Sequence, residues 1–296
     1  MRILLTGKNG QLGWELHRQL ARDFTVFAIG REDVDFLDTK IFMDVLRQAP
    51  PFDLIVNAAA YTDIDRAPRE SFAVETINSE AVATLAVEAD RRGIPMIHFS
   101  TDQIFNGQRR TRPYREHDRP NPMSLYGCAK LEGELRLRNI LERHLIFRLS
   151  GLYGIHHKNF FTKILARNRS GITSRVSDMQ MISPNWTPLV AEAIVNVIQQ
   201  MFWSDDIPWG TYHLSGSGST TPYGFAQLIC EKINAVWGGD MPLPIPIHSP
   251  KCDDMAKRPK YAVLDSTKFN TTFQYILPDW QEQFLRFFGG IDSKRQ

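Results

Sequence analysis

The chain has 296 residues, of which 43% are hydrophobic and 23% charged, and its formal net charge is +2. These values indicate one large globular domain, or one domain with a second lobe, and exclude a disordered chain. The basic residues are scattered and no apolar run could cross a bilayer, so we expect neither nucleic acid nor membrane as a partner. Three cysteines without metal-ligand spacing are typical of reduced thiols and predict a cytoplasmic protein.

The first half alternates segments of strand and helix character. Short apolar or β-branched runs predict strands, and longer stretches with one apolar face predict helices. The predicted strands are 2–6, 24–29, 53–56, 94–99 and 144–148, and the predicted helices are 11–22, 39–48, 70–92 and 124–142. This alternation predicts an α/β fold, a doubly wound parallel sheet with ligands at the carboxyl ends of its strands. We therefore assign 1–150 to a Rossmann-like dinucleotide-binding domain.

The pattern is looser in the second half. Segments 190–201 and 223–237 predict helices, and 210–214 predicts a strand. The proline-rich run 242–246 excludes a helix or a central strand, because proline lacks the N–H group that both require. We assign 151–296 mainly to a smaller substrate-binding lobe, with some elements returning to the sheet.

A glycine-rich turn follows the first strand and opens the first helix. Gly7, Gly10 and Gly13 have the spacing G-x-x-G-x-x-G, which favours short-chain dehydrogenases. Gly7 allows a tight turn, Gly10 lets the backbone approach a pyrophosphate, and Gly13 lets the helix pack closely on the strand. The N–H groups of Gln11 and Leu12 would then bind the phosphates. The sequence predicts a dinucleotide site here, and an ordinary βα turn is the alternative.

The second strand should end over the adenosine ribose. Arg31 stands there and can pair with a 2′-phosphate, so the sequence favours NADPH over NADH. Alternatively, Arg31 is a solvated side chain that stacks on adenine, in which case NADH would also serve as the cofactor. Asp35 and Phe36 are candidates to bind the adenine amino group and to cover its ring. The third strand ends in small residues that would let a cofactor lie against the backbone: Ala58, Ala59 and Ala60.

Reduction of a ketone by hydride requires a proton donor at the developing alkoxide. Tyr126 and Lys130 are four residues apart and share one face of the predicted helix. Tyr126 would donate the proton, while Lys130 would lower the pKa of that tyrosine and reach the nicotinamide ribose. Thr101 would orient the carbonyl oxygen, and Asp102 would bind a sugar hydroxyl or tune the tyrosine. This set predicts hydride transfer to or from a sugar-like substrate.

Other polar residues receive structural interpretations. His98, in the middle of a predicted strand, is interpreted as a buried, hydrogen-bonded histidine rather than a base. Asn78, inside the long helix, is interpreted as a brace for a neighbouring strand. No His, Asp or Glu set has the spacing of a catalytic metal site, so the sequence assigns no metal ligand.

Together these segments resemble the dTDP-4-dehydrorhamnose reductases, which are extended short-chain dehydrogenases. The resemblance is carried by GKNGQLGWEL (7–16), VNAAAYT (56–62), HFSTD (98–102), YGxxKxxGE (126–134) and LIFR (145–148). It continues through 178–187, 210–214, 258–259 and 277–280, and so covers nearly the whole chain.

The resemblance implies NADPH-dependent reduction of the 4-keto group of dTDP-4-dehydro-β-L-rhamnose to dTDP-L-rhamnose, for cell-surface polysaccharide. It implies that Tyr126 is the proton donor. Some members of the family use Mg²⁺, often linked to formation of a homodimer, and Glu15 matches one acidic position of that metal pattern. Gln103 and Gly151 stand where the family often has tyrosine and tryptophan, at positions that would contact the sugar. The reaction type is therefore better determined than the identity of the sugar.

Two alternatives remain open at this stage. A nucleotide-sugar epimerase or another 4-ketoreductase would use the same tyrosine and lysine on a different sugar. A non-catalytic NADP-binding regulatory subunit would keep the fold, although the intact Thr101, Tyr126 and Lys130 argue against it. Protein that binds NADPH but oxidises it with no keto-sugar would favour the regulatory subunit.

Overall fold

The computed structural model describes residues 1–108, 112–204, 206–237, 241–248 and 257–292. Its central sheet contains six strands: β1 (Arg2–Thr6), β2 (Thr25–Ile29), β3 (Leu54–Asn57), β4 (Met96–Thr101), β5 (His144–Leu149) and β9 (Gly210–Leu214). All pair in parallel, in the order β2-β1-β3-β4-β5-β9. The chain first moves outward from β1 to β2 and then returns to β3 on the other side. Because this reversal opens a crevice at the carboxyl ends of β1 and β3, it positions the ligand site.

Helices cover both faces of the sheet and form the second lobe. They are α1 (Gln11–Leu20), α2 (Thr39–Gln48), α3 (Ser71–Glu75), α4 (Ala81–Arg92), α5 (Leu125–Ile140), α6 (Phe160–Arg169), α7 (Thr187–Trp203), α8 (Pro222–Trp237), α9 (Thr267–Phe273) and α10 (Trp280–Asp292). Leu16 of α1 and Ile194 of α7 are buried in the core on one face. Leu85 of α4 and Leu137 of α5 are buried in the core on the other face.

The predicted helix 70–92 is interrupted by a π-helical turn, Thr76–Glu80, between α3 and α4. The Asn78 amide exchanges two hydrogen bonds with the backbone of Tyr61, accepting from its N–H at 2.9 Å and donating to its carbonyl at 3.0 Å. Asn78 therefore braces the loop that follows β3. A Cβ on Gly133 of α5 would lie 2.2 Å from the Asn78 carbonyl oxygen, so only glycine lets α5 pack this close.

The second half contributes both to the sheet and to a separate core. Two small parallel pairs join β6 (Leu152–Tyr153) to β8 (Asn185–Trp186) and β7 (Arg175–Ser177) to β10 (Ile245–Ile247). Pro246 lies in a two-stranded pair, where its missing N–H costs little. The helices α6, α8 and α10 enclose an aromatic core that includes Tyr153, Phe225, Phe284 and Phe287. Helices α6, α9 and α10 are not among those predicted from the sequence.

Two further observations concern membrane-spanning helices and cysteines. Within the described ranges, no helix combines the length and apolar character that crossing a membrane requires. Cys128 and Cys230 are free thiols, whereas Cys252 lies outside the described residues.

Candidate active site

One cleft runs along the carboxyl ends of the strands and is lined by both halves of the chain. Nearly all of the predicted site residues line it: Gly7, Gly10, Gln11, Leu12, Arg31, Asp35, Phe36, Ala58, Ala59, Ala60, Thr101, Asp102, Gln103, Tyr126, Lys130 and Gly151. Gly13 is not among the residues lining the cleft, because it lies behind the turn against the Gly7 carbonyl. The structure thus gathers the predicted cofactor, catalytic and substrate residues along one continuous surface.

The glycine turn leaves room that any side chain would fill. Gly7 has a φ of +76°, and a Cβ there would lie 2.6 Å from the Ala59 nitrogen. A Cβ on Gly13 would lie 2.0 Å from the Gly7 carbonyl oxygen. Helix α1 begins at Gln11, directly after Gly10, so its first N–H groups are available at the cleft. This arrangement fits a dinucleotide pyrophosphate, with the helix dipole adding favourable charge.

The charges at the end of β2 suit an additional phosphate. Lys8 binds Asp33 at 2.6 Å and Glu32 at 3.1 Å, and so compensates the two acids that directly follow Arg31. Its ammonium lowers the pKa of Asp33. Arg31 is exposed and, within the described part of the chain, has no ion pair, so its guanidinium is available for an anion.

The residues predicted to contact adenine are partly used by the protein itself. The Phe36 ring is buried against Phe42, with centroids 4.4 Å apart. The Asp35 carboxylate accepts a hydrogen bond from the Leu37 N–H at 2.9 Å. Both residues still line the cleft. They can therefore border a bound ring, but their positions are set by local packing.

Tyr126 is buried at the start of α5. Burial raises the pKa of Tyr126 to about 12, the Asp102 charge acts in the same direction, and the Thr101 hydroxyl opposes both. In the protein alone the loss of solvent around the phenolate dominates this pKa, and its lowering by Lys130 stays a prediction. The consequence is that Tyr126 keeps its proton at neutral pH and is ready to act as an acid.

Lys130 lies one turn further along α5 and is 2% exposed. Its Nζ donates to the Phe99 carbonyl at 2.6 Å and lies 3.3 Å from His98 Nε2. Burial lowers the pKa of Lys130 to about 8, with the Glu134 charge opposing the change. The lysine is therefore fixed by the backbone of β4, and its charge state is sensitive to pH close to neutrality.

Asp102 follows β4 and is buried without a cationic partner among the described residues. Its carboxylate accepts from the Ser150 hydroxyl at 2.8 Å and from the Thr101 hydroxyl at 3.2 Å. Burial raises the pKa of Asp102 to about 6, although these hydrogen bonds favour the charged form. Thr101 also accepts the Gln103 N–H at 3.1 Å, so its oxygen is held at the edge of the cleft.

The two positions that depart from the family pattern line the cleft without an aromatic ring. The Gln103 side-chain oxygen is buried and has no hydrogen-bond partner in the described part of the chain. A Cβ on Gly151 would have no heavy atom of the described residues within 4 Å. In place of the two aromatic rings that would enclose a sugar, this chain has the amide of Gln103 and, at Gly151, no side chain.

Sequence reasoning missed a basic region contributed by the second half of the chain. Lys163 and Arg167 of α6 and Arg175 of β7 line the cleft. The four-residue spacing of Lys163 and Arg167 was a usable signal, but α6 itself was not predicted. Nine described lining residues are basic and three are acidic: Arg31, Lys130, Lys158, Lys163, Arg167, Arg175, Lys257, Arg258 and Lys260 against Asp35, Glu70 and Asp102. The cleft therefore favours an anionic ligand.

The Mg²⁺ expectation finds no support. Among the described residues, no group of three or more His, Cys, Asp or Glu side chains could hold a metal ion. Glu15 is buried and accepts hydrogen bonds from Arg18 and, at 2.8 Å, from Gln19. Its carboxylate is thus compensated within α1.

Comparison with known proteins agrees with this geometry. A family model described as the RmlD substrate binding domain matches residues 1–291. The dTDP-4-dehydrorhamnose reductase of Escherichia coli K12 is 35% identical over 297 residues, covering 95% of each chain. The chain belongs to the dTDP-4-dehydrorhamnose reductase family. The reductase of Sinorhizobium fredii is 32% identical over 287 residues, covering 97% of this chain and 96% of the relative. The resemblance stated above is confirmed.

Solved structures of this family share the fold. A dTDP-4-dehydrorhamnose reductase from Clostridium acetobutylicum superposes with a TM-score of 0.87 at 29% identity, covering 100% of both chains. The Bacillus anthracis reductase in complex with NADP has a TM-score of 0.84 at 27% identity, covering 97% of both chains. A Thermotoga maritima UDP-glucose 4-epimerase, at 17% identity and a TM-score of 0.80 over 100% of both chains, shares the fold alone. The predicted doubly wound fold is confirmed.

Proposed function

We propose that this protein reduces the 4-keto group of dTDP-4-dehydro-β-L-rhamnose with NADPH, giving dTDP-L-rhamnose. The observation that carries the proposal is the position of Tyr126 and Lys130, buried on α5 in the same cleft as the glycine turn. Family membership adds the substrate class, since relatives at 32–35% identity are dTDP-4-dehydrorhamnose reductases. The bound NADP of the Bacillus anthracis reductase supports NADPH as the cofactor.

The cofactor would lie with its pyrophosphate on the glycine turn and its adenosine end near Arg31. NADPH supplies a hydride to the C4 carbon when bound. Arg31 would pair with the 2′-phosphate, because Lys8 already compensates Glu32 and Asp33. Residues 1–150 would thus hold most of the cofactor, and 151–296 most of the substrate.

Tyr126 would donate its proton to the oxygen at C4 as negative charge develops there. Its raised pKa keeps the hydroxyl protonated before the reaction. Lys130, on the same face of α5, would stabilise the resulting phenolate by its positive charge. Thr101 would turn its hydroxyl from Asp102 to the substrate oxygen and hold the carbonyl in place.

The basic residues of the second half would bind the diphosphate of the nucleotide sugar. Lys163, Arg167 and Arg175 provide donors suited to phosphate oxygens. Gln103 and Gly151 would border the hexose. We expect the protein to be a soluble, cytoplasmic enzyme that needs neither a membrane nor nucleic acid for this reaction. A homodimer stays a prediction.

The test is NADPH oxidation with the 4-keto sugar, made in situ by the preceding epimerase, and NMR identification of the product. We expect dTDP-L-rhamnose. The C4 epimer would instead indicate a related 4-ketoreductase, and tight NADPH binding without oxidation by any keto-sugar would indicate a regulatory subunit.

A matched pair of variants tests the mechanism. Tyr126→Phe should lower turnover by about 10²–10⁴-fold while NADPH affinity stays nearly unchanged. Tyr61→Phe is the control, since Tyr61 lines the same cleft and both tyrosines are 8% exposed. The Tyr61 hydroxyl donates to Glu70 at 2.9 Å and has no part in the proposed reaction. Turnover of Tyr126→Phe equal to that of Tyr61→Phe would refute the assignment.

A further inference from the structure

Four buried polar side chains form a continuous chain beneath the cleft, and the mechanism above uses only the last. Thr6, Asn57, His98 and Lys130 are each at most 2% exposed. Thr6 and Asn57 are paired partners on β1 and β3, and Asn57 and His98 are paired partners on β3 and β4. The chain therefore crosses three adjacent strands, from the residue before Gly7 to the lysine of α5.

The hydrogen bonds of Asn57 determine which nitrogen of His98 carries the proton. The Ala59 backbone N–H, which can only donate, donates to Asn57 Oδ1 at 3.1 Å, and the Thr6 hydroxyl donates to the same oxygen at 2.6 Å. The Asn57 amide nitrogen consequently faces His98 Nδ1, at 3.1 Å. Because the amide nitrogen donates, Nδ1 accepts, and a neutral imidazole then has its hydrogen on Nε2. Burial lowers the pKa of His98 well below its ordinary value, in agreement with a neutral ring.

The Nε2–H group faces the amine of Lys130. The two nitrogens are 3.3 Å apart. An uncharged amine has a lone pair that accepts this hydrogen, whereas an ammonium presents donor against donor. The arrangement therefore favours the uncharged form of Lys130.

We propose that His98 is a positioning residue which, held as the Nε2–H tautomer by Asn57 and Thr6, sets the fraction of Lys130 that is charged. This inference rests on the role proposed above for Lys130. If the charged lysine stabilises the Tyr126 phenolate, activity declines as pH rises and Lys130 loses its proton. His98 moves this decline to lower pH.

The other charged and titratable groups around Lys130 do not duplicate this effect. Tyr126 and Glu134 belong to α5 itself, and Asp102 follows β4. The Glu134 charge favours the ammonium and so opposes His98. Arg148 of β5 is bound to Glu134 at 2.8 Å and is held by it. His98 thus provides the donor that favours the amine.

The experiment follows the titration of Lys130 in the full chain by NMR of isotope-labelled lysine, assigned with Lys130→Arg. His98→Phe removes the N–H but keeps a buried ring, and should raise the Lys130 midpoint by about one pH unit. His98→Gln keeps an amide N–H near the former Nε2 and should restore a midpoint close to that of the unmodified protein. His144→Phe is the control, since His144 is buried at the start of β5 and its Nδ1 faces the Leu141 carbonyl at 2.6 Å. An unchanged midpoint in His98→Phe would overturn the proposal.

A second measurement uses the unmodified chain and decides the question if His98→Phe does not fold. Nitrogen chemical shifts of the labelled imidazole distinguish the two neutral tautomers and the imidazolium. We expect Nε2–H at His98 from pH 6 to 9, about the range in which Lys130 titrates. An Nδ1–H tautomer or an imidazolium would contradict the inference. Neither measurement requires turnover, so a failed reductase assay would not affect them.

Discussion

Replacing Glu134 by glutamine should destabilise the protein far more than the same substitution two residues earlier on α5. Glu134 is 0% exposed and Arg148, its partner on β5, is 1% exposed. Its carboxylate accepts from Arg148 Nε at 3.0 Å and Nη2 at 2.8 Å, and from Arg138 Nη2 at 2.7 Å. Glu134→Gln keeps the shape but removes the charge, which leaves the Arg148 guanidinium buried without its counter-ion.

The expected loss of unfolding free energy follows from this burial. Removing one partner of a buried ion pair costs about 3–5 kcal/mol, because the remaining charge stays desolvated. The control is Glu132→Gln, which breaks an i,i+4 pair with Arg136 whose side chains are 51% and 43% exposed. An exposed pair of this kind contributes at most about 1 kcal/mol. Both substitutions replace a glutamate of α5 that pairs with an arginine by glutamine. They differ in how deeply the ion pair is buried.

The assay is equilibrium unfolding in urea at neutral pH, with tryptophan fluorescence and circular dichroism as two probes. Losses within about 1 kcal/mol of each other for the two variants would refute the reasoning. A second readout is independent of stability. The Glu134 charge raises the pKa of Lys130 against the effect of burial, so Glu134→Gln should lower the Lys130 midpoint and move the alkaline decline of turnover to lower pH.

Three further predictions concern the cofactor and the catalytic loop. Gly13→Ala places a Cβ 2.0 Å from the Gly7 carbonyl oxygen, so calorimetry should show NADPH affinity reduced by about tenfold or more, and unchanged affinity would exclude this packing role. Arg31→Ala should raise KM for NADPH more than for NADH, and equal changes would remove Arg31 from the cofactor site. Asp102 has a folded pKa of about 6, above its ordinary 3.8, so it lowers stability as pH rises from about 4 to 6. Asp102→Asn should therefore raise the free energy of unfolding by on the order of 2–3 kcal/mol at neutral pH and by little at pH 4, as measured by urea unfolding. A change in unfolding free energy that does not depend on pH would contradict this assignment.

The central sheet could be predicted because its signals are local. Each strand is a short apolar run, helices α1, α2 and α4 each have an apolar face, and Gly93 in the left-handed conformation marks the end of α4. Parallel topology then follows from the alternation of strands and helices, and the site follows from topology. The sequence therefore predicts that motif residues at the strand ends meet in one cleft.

The remaining features depend on contacts between distant segments. The π-helical turn Thr76–Glu80 accompanies the packing of Gly133 against the Asn78 carbonyl, and neither residue signals this in its own neighbourhood. The raised pKa of Tyr126 is likewise a property of its enclosure, which a Tyr-x-x-x-Lys motif does not encode. Helix α10 did carry a signal, since Phe284, Phe287 and Phe288 recur at helical spacing and are buried. This spacing predicts a helix with a buried aromatic face.

One face of α5 explains why stability and catalysis are coupled in this protein. Tyr126, Lys130 and Glu134 follow each other at intervals of four residues and are all buried, so a polar stripe replaces the usual apolar one. Burial of such a stripe is tolerated because the sheet provides partners, the Phe99 carbonyl for Lys130 and Arg148 for Glu134. The same contacts that satisfy these groups also fix where the tyrosine and the lysine stand relative to the cleft. A substitution that loosens the Glu134–Arg148 ion pair should therefore disturb the proton donor Tyr126, even though neither residue of that pair lines the cleft.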